Sequence, residues 1–159
     1  MIAVEPLMSA SGLIMRGMSE RYEIVLSCFL RSDTPEAELA ACRWHLGLDS
    51  DCPEGLDEEE HPWPLFLTYP SSELPGGDMA TMRRSERVDG LGRPMWEVFA
   101  RNYSIDDNLP LLDAVLTLVA PHIAVPGYGG YLRHEYDTEP TVFVFRDADY
   151  AQVSLGQVS

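Results

Sequence analysis

The chain has 159 residues, enough for one domain with a buried core, and its 45% hydrophobic and 23% charged content is that of an ordinary globular protein. A net charge of −15 and a pI near 4.4 argue against a duplex-binding surface and against attraction to anionic membranes, so the complementary partner is basic or cationic. All eleven basic residues are arginine, which the codon bias of a GC-rich bacterial genome explains more simply than a set of guanidinium forks does.

Residues 1–20 are mildly apolar but lack a basic start and a long apolar run. They read as a flexible extension rather than a signal peptide, with Met8, Met15 and Met18 as alternative starts. The patterned domain is expected over 21–150. "YEIVLSCFLR" alternates: Tyr22, Ile24, Leu26, Cys28 and Leu30 share one apolar face, and Glu23 and Arg31 lie on the other, as in a strand with one face in the core. "SDTPEAELAACRWHLG" then reads as a helix. Thr34 is placed to cap it, Pro35 suits its first turn, Leu39, Cys42 and Leu46 form its buried stripe, and Gly47 ends it.

Residues 48–78 read as an acidic, proline-rich insertion. A loop of that length is unusual in a small domain, so a short strand is expected at Leu65–Tyr69. "MATMRRSERV" and "PMWEVFARNYS" flank the turn signal "DGLG" and read as a hairpin. A second helix starts at Asp107 or Asn108 and buries Leu112, Val115, Leu116 and Val119 before Pro121 ends it. "YLRHEY" and "TVFVFRDADY" read as two closing strands, and 151–159 as a patternless tail. The order predicts an α+β fold of the ferredoxin-like split βαβ kind, βαββαβ plus an extra C-terminal strand, with two helices on one face of a mainly antiparallel sheet. The other face is where such a domain would form a homodimer.

The stretch "CRWHLGLDSDCPEGLDEEEH", Cys42–His61, looks most like chemistry. Cys42 and His45 point the same way on a helix, and Cys52 and His61 would complete four zinc ligands. The second pair is spaced too widely for a structural zinc site, and Cys42 belongs to the apolar stripe. Read as a calcium loop from Asp49, the stretch has its glycine one residue late, at Gly55. A solvated acidic loop is the favoured reading, with no metal. "PGYGG", Pro126–Gly130, leads from a helix into a strand, so no helix N-terminus meets it. It reads as a tight connection needing positive φ, and no cofactor is expected.

His134 in "RHEYD" is a candidate general base, but no carboxylate shares its face locally, and Arg133 beside Glu135 reads as a same-face charge pair. In "HPWPLFLTYP" the prolines favour an extended arm whose Trp63, Phe66 and Tyr69 either meet a partner or wrap their own domain. Between Asp33 and Asp78 the chain carries twelve acidic residues against Arg43 alone, while Arg83–Arg101 holds five arginines against three acids. These two regions could pair within a chain or between copies.

The three cysteines, Cys28, Cys42 and Cys52, make no disulfide framework and suit a reducing cytoplasm. The expected function is binding of a protein partner or a small ligand rather than catalysis, by a homodimer that could mask a basic protein partner. Its candidate binding residues are Trp63, Phe66, Tyr69, Tyr131 and His134. The alternative is a small enzyme of the dimeric α+β barrel type, with a pocket on the sheet face near His134.

Overall fold

The computed structural model describes residues 20–154; the expected extension before Glu20 and the end of the tail, 155–159, lie outside the described residues. The elements in chain order are β1 (Arg21–Leu30), α1 (Glu36–His45), β2 (Met79–Val88), β3 (Pro94–Ile105), α2 (Leu109–Val119), β4 (Gly127–His134), β5 (Thr141–Arg146) and β6 (Asp149–Ser154). The fold is α+β: a six-stranded sheet in the order β2-β3-β1-β4-β5-β6, antiparallel throughout, with two helices.

Alternation in β1 sends Tyr22, Ile24, Leu26 and Leu30 into the core. There they join Leu39, Cys42 and Leu46 from α1 and its C-terminal end, and Leu112, Val115, Leu116 and Val119 from α2. Val98, Ala100, Phe143 and Phe145 of the sheet, Leu111 and Ala120, and Leu65 and Phe66 of the insertion belong to the same cluster. Each Val, Leu, Ile or Phe among them contributes roughly 1.5–3 kcal/mol on burial. Among the described residues, the opposite sheet face carries no helix of this core. Thr34 does not cap α1 as expected. Its hydroxyl donates to the Arg31 carbonyl at 2.7 Å, and Pro35 takes the capping position.

Two expectations about strands are overturned. The tail is not patternless, because Ala151–Ser154 belong to β6, and "TVFVFRDADY" is a hairpin rather than one strand. Its two turn residues, Asp147 and Ala148, both have positive φ, 55° and 62°. That is the turn geometry that matches strand twist, normally signalled by Asn-Gly or Asp-Gly. Here no glycine marks it. Residues Leu65–Tyr69 form no strand; their backbone groups bond to α1 and β3 instead, as described below.

The glycines of "PGYGG" lie inside β4, at a bulge between Tyr128 and Gly130, rather than in a loop before it. A Cβ on Gly130 would sit 1.9 Å from the Val25 carbonyl oxygen, and one on Gly129 would sit 2.2 Å from the Phe145 ring. The positive φ of Gly130, 124°, adds a backbone requirement to the steric one. The motif serves strand packing.

Candidate functional site: the Trp63 ridge

The insertion folds back on its own domain. Phe66 is fully buried, at 0% exposure, and Leu65 is buried beside it, so Phe66 is a core anchor and not a surface contact. The end of α1 holds this arm through one residue. The Phe66 amide donates to the His45 carbonyl at 2.8 Å, and the Leu65 amide donates to His45 Nδ1 at 3.1 Å. His45 Nε2 lies 2.9 Å from His61 Nδ1, and Asn102 of β3 donates its side-chain amide to the Leu65 carbonyl at 2.6 Å. An extended segment with no strand partner thus finds partners for the Leu65 amide and carbonyl and for the Phe66 amide, while Asn102 Oδ1 stays buried without one. Burial and the adjacent His61 ring hold His45 down at about 3, and burial lowers His61 against the pull of Glu60 and Asp57, so both rings are neutral near pH 7.

With its middle pinned, the arm leaves Trp63 and Tyr69 outside, 49% and 55% exposed. Trp63 is not loose. Its Nε1 donates to Asn108 Oδ1 at 2.9 Å, and Asn108 in turn donates to the Ser104 hydroxyl at 2.7 Å. The indole stands between two cavities. One, about 500 Å³, is walled by Trp63, Tyr69 and Tyr103, with Arg21 and Asp78 at its border. Asp78 Oδ2 accepts from the Tyr69 amide at 3.0 Å, whereas its Oδ1 is buried without a partner. The other, about 370 Å³, is bordered by Glu59, Glu60, Asp107 and Asp113, with no arginine in its lining. Tyr150 donates its hydroxyl to Asp113 there. An anchored aromatic face flanked by carboxylates is suited to a guanidinium or ammonium group.

Tyr131 and His134 are not brought together. Strand register sets Tyr131 opposite Val25 and His134 opposite Tyr22, so the two face opposite sides of the sheet and line no common pocket. His134 packs edge-on against Tyr22, with ring centroids 5.1 Å apart. The missing carboxylate is Glu20, whose Oε1 lies 2.5 Å from His134 Nε2. Nε2 lacks a partner with hydrogen-bond geometry, so the two groups are close without forming a hydrogen bond. Tyr131 belongs to a cluster on the helix-free face. Its hydroxyl donates to Glu23 at 2.8 Å, and Glu23 also accepts from Arg101 at 3.1 Å and Arg133 at 3.3 Å. Burial would raise the Glu23 carboxyl, but the bonds from Tyr131, Arg101 and Arg133 outweigh it and lower the net value. Arg133 therefore pairs with Glu23 and not with Glu135, which accepts from the Arg21 amide and the Tyr103 hydroxyl instead.

The Cys42–His61 stretch divides. Its histidines meet, but its cysteines do not join them. Burial pushes the Cys42 thiol up to about 12, and Cys52 is exposed. Among the described residues, no three His, Cys, Asp or Glu side chains are grouped to hold a metal ion. Nor does any ion pair among them link the arginine hairpin to the insertion: Arg83 pairs with Glu97 and Arg43 with Glu36 and Asp49. Sequence reading found Trp63 and Tyr69 but missed Tyr103, Asp78, Asn108 and the four carboxylates. Strand alternation marks Tyr103 as outward-facing, yet nothing local says that the arm arrives beside it.

No protein-family model matches the chain, and neither the curated proteins nor the solved structures contain a significant match to it.

Proposed function

We propose that the protein acts by binding rather than by catalysis, and that it takes a basic segment of a protein partner across the Trp63 ridge. The observation that carries this is the exposed but anchored Trp63 indole, set between two cavities that offer carboxylates on either side. An arginine or lysine of the partner would stack on the indole and neutralise Asp78 on one side or Glu59, Glu60, Asp107 and Asp113 on the other. The net charge of −15 steers such a partner inward. Calorimetric titration with an arginine-rich peptide tests it, with a glutamate-rich peptide as control. The arginine peptide should bind, more weakly as salt rises, and Trp63→Ala should weaken it tenfold or more, as an aromatic anchor does. Equal heats from both peptides, or an unaffected Trp63→Ala variant, would sink the proposal.

A second reading concerns assembly. Register places Met79, Arg101, Val25, Tyr131, Val142 and Val153 in one row across the helix-free face, and Met79 and Val153 at its ends are exposed. This face carries both charges, Arg101 and Arg133 with Glu23 and Glu97, so a two-fold-related copy could meet it with complementary groups. These features support a homodimer; sedimentation of the wild type as a monomer at 100 µM, about the upper range of such measurements, would remove that reading. The ferredoxin-like description of the fold also stands as a proposal. It is supported by the order β2-β3-β1-β4 with helices after β1 and β3, and β5 and β6 would then extend one edge. Free Cys28, Cys42 and Cys52 support a reducing compartment such as the cytoplasm. No helix among the described residues is long and apolar enough to cross a membrane.

A further inference from the structure

We propose that the buried His45–His61 pair is a proton-operated latch, and that uptake of one proton releases the arm and takes the Trp63 ridge apart. The proposal rests on the reading of that ridge as the binding site. The hydrogen bonds assign each proton. Because His45 Nδ1 accepts from the Leu65 amide, the neutral ring must carry its hydrogen on Nε2. Nε2 therefore donates to His61 Nδ1, 2.9 Å away, and the hydrogen of neutral His61 sits on its own Nε2. Each ring is thus confined to one tautomer.

An added proton has no compatible place. An imidazolium has two donors and no acceptor. On His61 the proton would occupy Nδ1, facing the Nε2 hydrogen of His45. His45 can relieve that clash only by moving its own hydrogen to Nδ1, which then confronts the Leu65 amide hydrogen. A proton placed directly on His45 Nδ1 has the same result. Either way the Leu65 bond breaks, and Leu65 is two residues from Trp63.

The surroundings favour the neutral pair and leave His61 as the entry point. His45 is 1% exposed, packs against the Trp44 ring at 4.9 Å, and has His61 as the only titratable group acting on it appreciably. From β3 it is met, through Leu65, by the neutral Asn102 amide. His61 has Glu60 and Asp57 near it, and both favour its proton. Arg43 of α1 is engaged by Glu36 and Asp49. Acid therefore opens the arm, and neutral pH closes it. A partner bound at the ridge would be released on acidification.

Hydrogen exchange on the full chain tests this between pH 7.5 and 4.5, corrected for intrinsic rates. The Leu65 and Phe66 amides should lose protection by about tenfold per pH unit once His61 begins to titrate. His61→Asn keeps an acceptor for His45 Nε2 but takes no proton, so its amides should stay protected over that range. Parallel loss of protection in both proteins, or none in the wild type, overturns the latch. Imidazole ¹⁵N shifts of the wild type give a second readout that needs no variant. Both Nδ1 atoms should be unprotonated at pH 7.5, and His61 titrating while the Leu65 amide stays protected would equally overturn it. Arginine-peptide binding is measured separately at pH 7.5. A latch that opens without any peptide binding would leave this inference standing and remove the ridge as the binding site.

Discussion

Two adjoining parts of the insertion, an acidic half at 49–60 and an arm half at 61–69, are held in opposite ways. The first is acidic and mostly exposed. Its fixed points are an Arg43–Asp49 pair at 3.0 Å and a turn in which Asp57 accepts from the Glu59 amide at 2.9 Å. The second has three buried side chains, His61, Leu65 and Phe66, and the Leu65 amide and carbonyl and the Phe66 amide are answered by His45 and Asn102. Neither half has a helical or strand period. What separates them is whether apolar burial is large enough to offset chain ordering, and whether each buried amide finds a partner. Once the second half is fixed, residues on its outer side, Trp63 and Tyr69, become a surface of defined shape.

Removing the anchor should erase this difference. Phe66→Ala should cost about 3–5 kcal/mol of stability, the range for emptying a large aromatic site, read as a lower denaturant midpoint. It should also give the arm the exchange rates of the acidic half. A loss below about 1 kcal/mol would mean that the arm is held chiefly by hydrogen bonds.

Acidification acts next, and its sign follows from the direction of the shifts. His45 and His61 bind protons less readily folded than unfolded, so their contribution is complete above the ordinary value of 6.5 and is lost as pH falls below it. The expected slope is about 1.4 kcal/mol per pH unit for each group in its window, which for His45 extends down to about 3. Glu23, lowered in the fold, adds a further loss once pH falls below its ordinary 4.5. Denaturant midpoints measured from pH 8 to 4 should therefore fall throughout the lower part of the range. A flat profile between pH 6.5 and 5 would show that the histidine pair is not held neutral.

The smallest effect belongs to the acidic half. Asp51→Asn and Glu54→Gln, both at exposed positions, should change stability by less than about 0.5 kcal/mol. Binding of an arginine peptide should weaken slightly through lost steering. A destabilisation beyond 1 kcal/mol would assign the acidic half a structural role that its exposure does not suggest, being above the roughly 0.5 kcal/mol usual for surface changes.

Much of the scaffold was legible in the sequence because its signals are local. Period-two alternation placed β1 from Tyr22 onward, "DGLG" placed the β2–β3 hairpin, and the Leu112–Val119 stripe placed α2. The Asp147–Ala148 turn was missed because its residues lack the glycine that normally announces left-handed backbone. Half of the site was legible as well, since proline and exposed aromatics mark an arm. Whether Phe66 or Trp63 would turn inward was not, because in a segment without periodicity only the surface it lands on decides.

By itself, then, the sequence determined the α+β class, the direction of each amphipathic face and the chain's own acidic balance, all of which follow from residue type and short-range spacing. Only the tertiary structure decided that His45 would bond to His61 and Leu65 rather than join Cys42 at a metal, that Arg133 would cross to Glu23, and that Tyr103 and Asp78 would meet Trp63. These pairings span long stretches of chain. They depend on strand register and on where a loop comes to rest, and both are set by the packing of the whole core.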